Sequence, residues 1–221
     1  MNATGHRRAV KPRRLAGVEY EQEAWSDGYH VVAGLDEVGR GALAGPVVAA
    51  AVVLDRERIP DGLADSKTLL RVRREALNSA ITDSALGVAI ACIEAPEIDA
   101  TNILRATLAA MLKAVGALPV APDYLLVDGN SRIPEWTGTQ RTVVAGDSAS
   151  ASIAAASIVA KVARDRLMAG YSEQWPEYGF ADHVGYGTAA HMDAIARLGP
   201  CPIHRRTFRG VLTTSLFAGI D

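Results

Sequence analysis

Cysteine is scarce in this chain. Cys92 and Cys201 are the only two among 221 residues, and they form no Cys-x-x-Cys pair. They can support neither a disulfide framework nor a zinc site of the usual spacing, and a reducing, cytoplasmic setting is the simplest expectation. No apolar run approaches the ~20 residues that span a bilayer, so a membrane protein is not expected. The N-terminus also lacks the apolar core of a secretory signal. Charge of one sign is not in excess: the formal net charge is −2. A global positive field is therefore excluded, and any nucleic acid must be held by local patches. No internal repeat is visible.

What remains is an ordinary globular composition, with 49% hydrophobic and 22% charged residues. The length suits one compact domain. Residues 1–27 read as a basic N-terminal tail and short linker, and residues 28–221 as the domain. The tail carries Arg7, Arg8, Lys11, Arg13 and Arg14 with no acid before Glu19. It is either a solvated arm or one that touches phosphates. Residues 15–25 form a short, acidic, helix-compatible piece.

Residues 30–36 read as a strand, followed by a glycine-rich stretch and a second apolar strand at 47–54 that is buried on both faces. Glycines between two strands suggest a hairpin with a long connection. Residues 86–93 make a plausible third strand. Leu104, Leu108, Met111, Leu112 and Val115 then recur at helical steps of three and four. Further strands are expected at 124–128 and 142–145, and a long helix at 147–168. A shorter helix is expected at 191–198. Strands with short links suggest antiparallel pairing, and strands separated by a helix suggest a parallel crossover. The expected fold class is α/β: a mixed five-stranded sheet flanked by helices, with a helical C-terminal part.

Acidic residues sit at the ends of these strands. Asp36-Glu37 leaves an apolar strand for a glycine loop, Asp128 ends another strand, and Asp147 opens the long helix. Ligands of α/β sheets bind beyond strand ends. Clustered carboxylates repel unless a cation lies between them, and Mg²⁺ suits an all-oxygen set. Plainer readings exist. Asp128 before Gly129-Asn130 fits a turn, and Asp147 beside Ser148 fits a helix N-cap. Two adjacent acids in an apolar setting are harder to explain without a partner.

The stretch Gly34-Leu35-Asp36-Glu37-Val38-Gly39-Arg40-Gly41, followed by Ala44-Gly45-Pro46-Val47-Val48, closely resembles the signature of the ribonuclease HII family. The likeness continues in order. It runs through Asp65-Ser66-Lys67, Val127-Asp128-Gly129-Asn130, Gly146-Asp147-Ser148, the stretch from Ala155 to Arg166, Gly185-Tyr186-Gly187-Thr188 and His204-Arg205-Arg206-Thr207-Phe208. The resemblance implies a ribonuclease H-like fold and an endonuclease acting on the RNA strand of RNA–DNA hybrids and at single ribonucleotides in duplex DNA. It implies Asp36, Glu37, Asp128 and Asp147 as catalytic metal ligands for two Mg²⁺ or Mn²⁺ ions. Cleavage would leave 5′-phosphate and 3′-hydroxyl ends.

The resemblance also implies that Gly39, Arg40, Gly41 and Tyr186 read a ribonucleotide 2′-OH, the group that separates RNA from DNA. Lys67, His183, Arg205 and Arg206 match positions that touch phosphate. Taken singly, each of these reads first as an ordinary surface charge, and Tyr186 as an ordinary half-buried aromatic; together they could supply the local positive patch that the net charge lacks. Lys161, Arg164 and Asp165 fit an internal ion pair as well as a ligand contact, with Asp165 read as structural. One position departs from the family pattern: Ser152 stands where many bacterial relatives carry a glutamate. A monomer is expected. Leu212, Leu216 and Phe217 near the C-terminus could form a sliding-clamp peptide, a short docking strand or a disordered end.

Two rival readings remain at this stage. One is a nuclease of another type on the same scaffold. The other is a nucleic-acid-binding module with vestigial acids, which four acids facing phosphate argue against.

Overall fold

The computed structural model describes residues 15–212. The basic arm and the segment with Leu216 and Phe217 lie outside the described residues. Five strands form one sheet: β1 (Val32–Val38), β2 (Val47–Val53), β3 (Gly87–Ile93), β4 (Tyr124–Asp128) and β5 (Thr139–Val143), in the order β3-β2-β1-β4-β5. β1 pairs antiparallel with β2, and β2 with β3. β1 pairs parallel with β4, and β4 with β5. The sheet is mixed, as expected. β5 begins earlier than the expected 142–145, because the polar Thr139, Gln140 and Arg141 pair at the sheet edge. Val144, which looked like strand, is 77% exposed.

Seven α-helices are found among the described residues: α1 (Glu19–Ser26), α2 (Arg71–Ser84), α3 (Ala95–Ala100), α4 (Ile103–Gly116), α5 (Ala151–Gln174), α6 (Phe180–His183) and α7 (Ala189–Leu198). α4 covers one face of the sheet through Ala106, Ala110, Met111, Ala114 and Val115, against Ala33, Leu35, Val47, Ala49, Leu125 and Val127. α5 covers the other face. Its Ala151, Ala154, Ala155, Ile158 and Val159 meet Ala50 and Val52, with Leu77 and Ile81 of α2 alongside. α2 was not expected from the sequence: only Leu77 and Ile81 of its residues are buried, too few for a clear apolar stripe.

The long helix starts at Ala151, later than the expected 147. Ser150 is its N-cap, with Oγ accepting from the Ile153 N–H. Asp147 lies instead in a 3₁₀ turn, Gly146–Ser148. It is therefore not the cap of the helix. Residues 15–26, read as a tail and linker, dock on this helix start. Glu21 is buried, and its Oε1 accepts from Ser150 Oγ at 2.5 Å and from Ser152 N at 2.8 Å. Ser152 thus has its backbone held by Glu21, while its hydroxyl has no hydrogen-bond partner among the described residues.

Small residues set the distance between α5 and the sheet. A Cβ added at Gly34 would stand 2.1 Å from the Ser152 carbonyl carbon, a backbone atom that cannot swing aside. Gly34→Ala is expected to destabilise the fold by about 3 kcal/mol, the upper part of the range for overpacked cores. A urea titration measures it; an unchanged midpoint would mean that the helix can slide outward freely.

Candidate active site

The parallel register of β1 and β4 brings the acids together. Leu35 pairs with Val127, so Asp36 and Asp128 follow side by side on neighbouring strands. Gly34 and Asp36 share a strand face by alternation, as do Leu126 and Asp128, and α5 packs on that face. Carboxylate oxygens of Asp36, Glu37 and Asp128 all lie within 4.8 Å of one another. Asp36 is only 4% exposed. Burial pushes its carboxyl well above the ordinary range, and the charges of Glu37 and Asp128 push it further. Burial also raises Glu37, against the relief given by Arg40, whose Nη1 donates to Oε1 at 3.2 Å. Burial raises Asp128 too, with the Asp147 charge adding and the Gly146 N–H, at 2.7 Å, opposing.

Asp147 is buried and borders this group without belonging to the close set of three. Its Oδ2 accepts from Lys67 Nζ at 3.2 Å, and the Lys67 side chain is otherwise 74% exposed. Its backbone position is set by the turn after β5, where Ala145 has a left-handed φ of 55°.

The glycine loop after β1 lies next to Tyr186. Gly39 has φ +91°, and an added Cβ would meet Arg164 Nε at 2.2 Å. A side chain there is excluded twice over. A Cβ at Gly41 would lie 3.9 Å from Tyr186 Cε1, so the loop backbone faces the tyrosine ring. Tyr186 itself is 37% exposed.

Two arginines fasten these loops from within. Arg164 is fully buried and donates to Pro46 O, Val184 O and Ala44 O at 2.8–3.1 Å. Arg205 is fully buried and donates to Gly45 O and Arg40 O at 2.9–3.0 Å. Burial drives the Arg205 guanidinium down to about 10. The expectation that Arg205 touches phosphate is therefore corrected: its donors are turned inward onto carbonyls. His183 is corrected likewise. Its Nδ1 accepts from Gly185 N at 3.2 Å and its Nε2 meets Tyr178 O at 2.7 Å, so neither ring nitrogen is free for phosphate. Arg206 is exposed. Asp165 pairs with Lys161 Nζ at 2.5 Å and Arg74 Nη2 at 3.5 Å, which is the structural role read from its spacing.

Beneath Tyr186 lies a group of buried aromatics that the sequence reading did not single out. His191 and His204 are fully or nearly fully buried, with their Nε2 atoms 3.0 Å apart. Burial, then the neighbouring His191, pushes His204 down to about 4. Its ordinary value is about 6.5. The unfolded chain therefore gains a proton as pH falls through about 6.5, while the folded chain resists until about 4. Stability from this site is complete above that window and is lost as pH drops across it, by at most about 3 kcal/mol. Urea titrations at about pH 7 and about pH 5 measure it. The raised carboxyls act with the opposite sign, so the same pair of titrations on Asp36→Asn should show a steeper loss on acidification.

Comparison with known proteins fits this geometry. The sequence model of the family described as Ribonuclease HII matches residues 33–211. The chain belongs to the ribonuclease HII family. It is 56% identical to a protein named Ribonuclease HII from Geobacter metallireducens over 192 residues, 87% of this chain and 90% of that one. The namesake from Parvibaculum lavamentivorans is 53% identical over 86% of this chain and 72% of its own length. Among solved structures, the ribonuclease H2 of Pyrococcus horikoshii OT3 superposes with a TM-score of 0.69 at 28% identity, covering 82% of this chain and 95% of that one. Ribonuclease HII from Archaeoglobus fulgidus, solved as a complex with PCNA, gives 0.61 at 26% identity, covering 76% and 87%. A Bst-RNase HIII solved with Mn²⁺ has the same fold, with a TM-score of 0.59 at 23% identity over 76% of this chain and 61% of that one. Family membership makes the chain an endoribonuclease of the ribonuclease H class, and the family is one of divalent-metal-dependent nucleases. Among the described residues, no helix is long and apolar enough to cross a membrane.

Sequence reasoning missed Glu21 and Arg205 as internal fasteners, and the pair His191 and His204; for Arg164 it offered an internal ion pair, where the partners are backbone carbonyls. Charged residues default to the surface in any reading from sequence, so buried arginines give no advance signal.

Proposed function

We propose that this chain hydrolyses the RNA strand of RNA–DNA hybrids and also cuts at single ribonucleotides embedded in duplex DNA, leaving 5′-phosphate and 3′-hydroxyl ends. The observation that carries this reading is the approach of Asp36, Glu37 and Asp128 within 4.8 Å. It lies beside a glycine loop that faces Tyr186.

The residues fit a pair of Mg²⁺ or Mn²⁺ ions. All the donors are carboxylate oxygens, and three of the acids have raised pKa values, the mark of a cluster short of positive charge. Asp36, Glu37 and Asp128 would hold the ions, with Asp147 as the fourth acid. When bound, such ions supply an activated water and neutralise charge on the leaving oxygen. The chain's own residues do the rest. Arg40 balances part of the Glu37 charge, and Lys67 steadies Asp147. The Gly39-Arg40-Gly41 backbone and the Tyr186 hydroxyl and ring bracket the 2′-OH, whose donor and acceptor capacity DNA lacks. Lys67 and Arg206, both exposed, draw in the phosphates and supply the local positive charge that a net −2 withholds. The relative solved with PCNA supports adding a sliding clamp to the inferred partners.

The test is a duplex carrying one ribonucleotide, incubated with and without Mg²⁺. A single metal-dependent cut bearing a 5′-phosphate is expected. Failure to cut with either Mg²⁺ or Mn²⁺, or equal cutting of all-DNA duplex, overturns the reading.

A further inference from the structure

The two buried histidines under Tyr186 have a fixed hydrogen-bond polarity. The Cys201 backbone N–H, which can only donate, lies 2.9 Å from His204 Nδ1. The Cys201 carbonyl is farther from the same nitrogen, at 3.3 Å, so the closer group, which can only donate, decides the tautomer. His204 Nδ1 is therefore the bare nitrogen, and its proton sits on Nε2. That proton points to His191 Nε2 at 3.0 Å. The other end of the chain imposes the same order independently. His191 Nδ1 lies 3.0 Å from the Tyr186 carbonyl, which can only accept, so the His191 proton is on Nδ1 and its Nε2 is bare. A backbone donor at one end and a backbone acceptor at the other specify one tautomer for each ring.

The relay ends on a segment whose own backbone bonds, Tyr186 N to His183 O at 2.9 Å and Thr188 N to Tyr186 O at 2.8 Å, hold it only in part, the rest of its support coming from outside it. Val184, two residues before Tyr186, has φ 43°, a left-handed conformation that a β-branched residue adopts only under constraint. Arg164 holds its carbonyl at 2.8 Å. Gly185 lies so close to the loop after β1 that an added Cβ would meet Ala44 O at 2.4 Å. His183 stacks on His191 with ring centroids 4.3 Å apart, and its Nδ1 accepts from the Gly185 N–H. The other titratable groups facing the pair are Cys201 and Tyr178, and the Tyr178 hydroxyl is committed to Gly199 O at 2.6 Å.

We propose that Cys201, His204 and His191 form a tautomer-locked relay that sets the position of Tyr186, making His191 and His204 positioning residues for ribonucleotide selection. The inference rests on the reading of Tyr186 as the residue that contacts the 2′-OH. Neither histidine touches substrate. A displacement of about 1 Å in a recognition group is enough to cost orders of magnitude in rate, and the relay fixes the backbone of that group from below.

The variants are His191→Phe, which keeps a stacked ring and removes both bonds, and His191→Asn, whose amide nitrogen can still donate to the Tyr186 carbonyl. The readout is the ratio of kcat/KM on a single-ribonucleotide duplex to that on a continuous hybrid. His191→Phe is expected to lower the ratio roughly tenfold or more, and His191→Asn to recover most of it. An unchanged ratio in folded His191→Phe, or no recovery in His191→Asn, overturns the relay. The ¹⁵N shifts of the wild-type histidines give a measurement free of substrate and of folding defects in variants. Protons on His204 Nε2 and His191 Nδ1 support the relay, and the reverse tautomers sink it. If wild type leaves single ribonucleotides uncut, the proposed function has failed; the relay geometry is then judged by the shifts alone.

Discussion

Asp36→Asn should lower cleavage by roughly a thousandfold or more, equivalent to about 4 kcal/mol of barrier, and should also make the metal-free protein more stable. The two effects have one cause. Asp36 is nearly buried beside Glu37 and Asp128, and all three carboxyls are pushed toward the neutral form. At neutral pH the fold must hold this charge without enough compensation, which costs stability. Asparagine keeps the shape and can still accept from the Glu37 N–H, which meets Asp36 Oδ1 at 2.7 Å. It removes one charge and one strong oxygen ligand. Mg²⁺ should raise the melting temperature of wild type more than that of the variant, because binding to the native state alone stabilises by mass action. Hybrid affinity should change little. Cleavage assays, thermal melts with and without Mg²⁺ and a hybrid-binding titration give four numbers. A variant that cuts at wild-type rate, or that melts lower than wild type without metal, contradicts the assignment.

Tyr186→Ala should lower kcat/KM on a duplex with one ribonucleotide by roughly a hundredfold, and on a continuous hybrid by much less. A site built around a hydroxyl discriminates strongly when that contact is present and poorly without it. A continuous hybrid offers 2′-OH groups at every step and an A-like duplex shape, so loss of one reader is partly covered. Tyr186→Phe separates ring from hydroxyl: it should retain stacking and fall between the two. The ring stands over the buried Arg164, with the guanidinium carbon 5.6 Å from its centroid, so phenylalanine preserves that contact as well. Equal losses on both substrates in Tyr186→Ala would show that the residue serves general binding and not selection.

The five strands and the helix over Ile103–Gly116 were largely legible because their apolar periodicities are strong and local. α2 was not, since its buried face amounts to Leu77 and Ile81. β5 was displaced because an edge strand with polar residues carries no apolar alternation, and α5 because the turn at Ala145 lets Ser150 take the cap that Asp147 resembled. At the site, Asp36, Glu37 and Asp128 were legible as charged residues at the ends of apolar strands, where burial without a partner is costly. Arg205 and His183 were misplaced for a related reason. A basic residue near a nucleic-acid site looks like a phosphate contact until its hydrogen bonds are traced, and here they run to Gly45 O, Arg40 O, Tyr178 O and the Gly185 N–H.

Residue order alone was enough to establish the family and the sheet-and-helix composition, and to single out the acids proposed to carry the chemistry, since each depends on local patterns or on ordered motifs. Distance between remote segments belongs to the folded chain. The parallel register of β1 with β4 makes neighbours of Asp36 and Asp128, and the contact of Gly34 with the α5 backbone brings that helix against their face of the sheet. The inward turn of Arg164, Arg205 and the histidine pair was likewise decided only by packing, because the partners are backbone carbonyls and amides, which every sequence contains and none advertises.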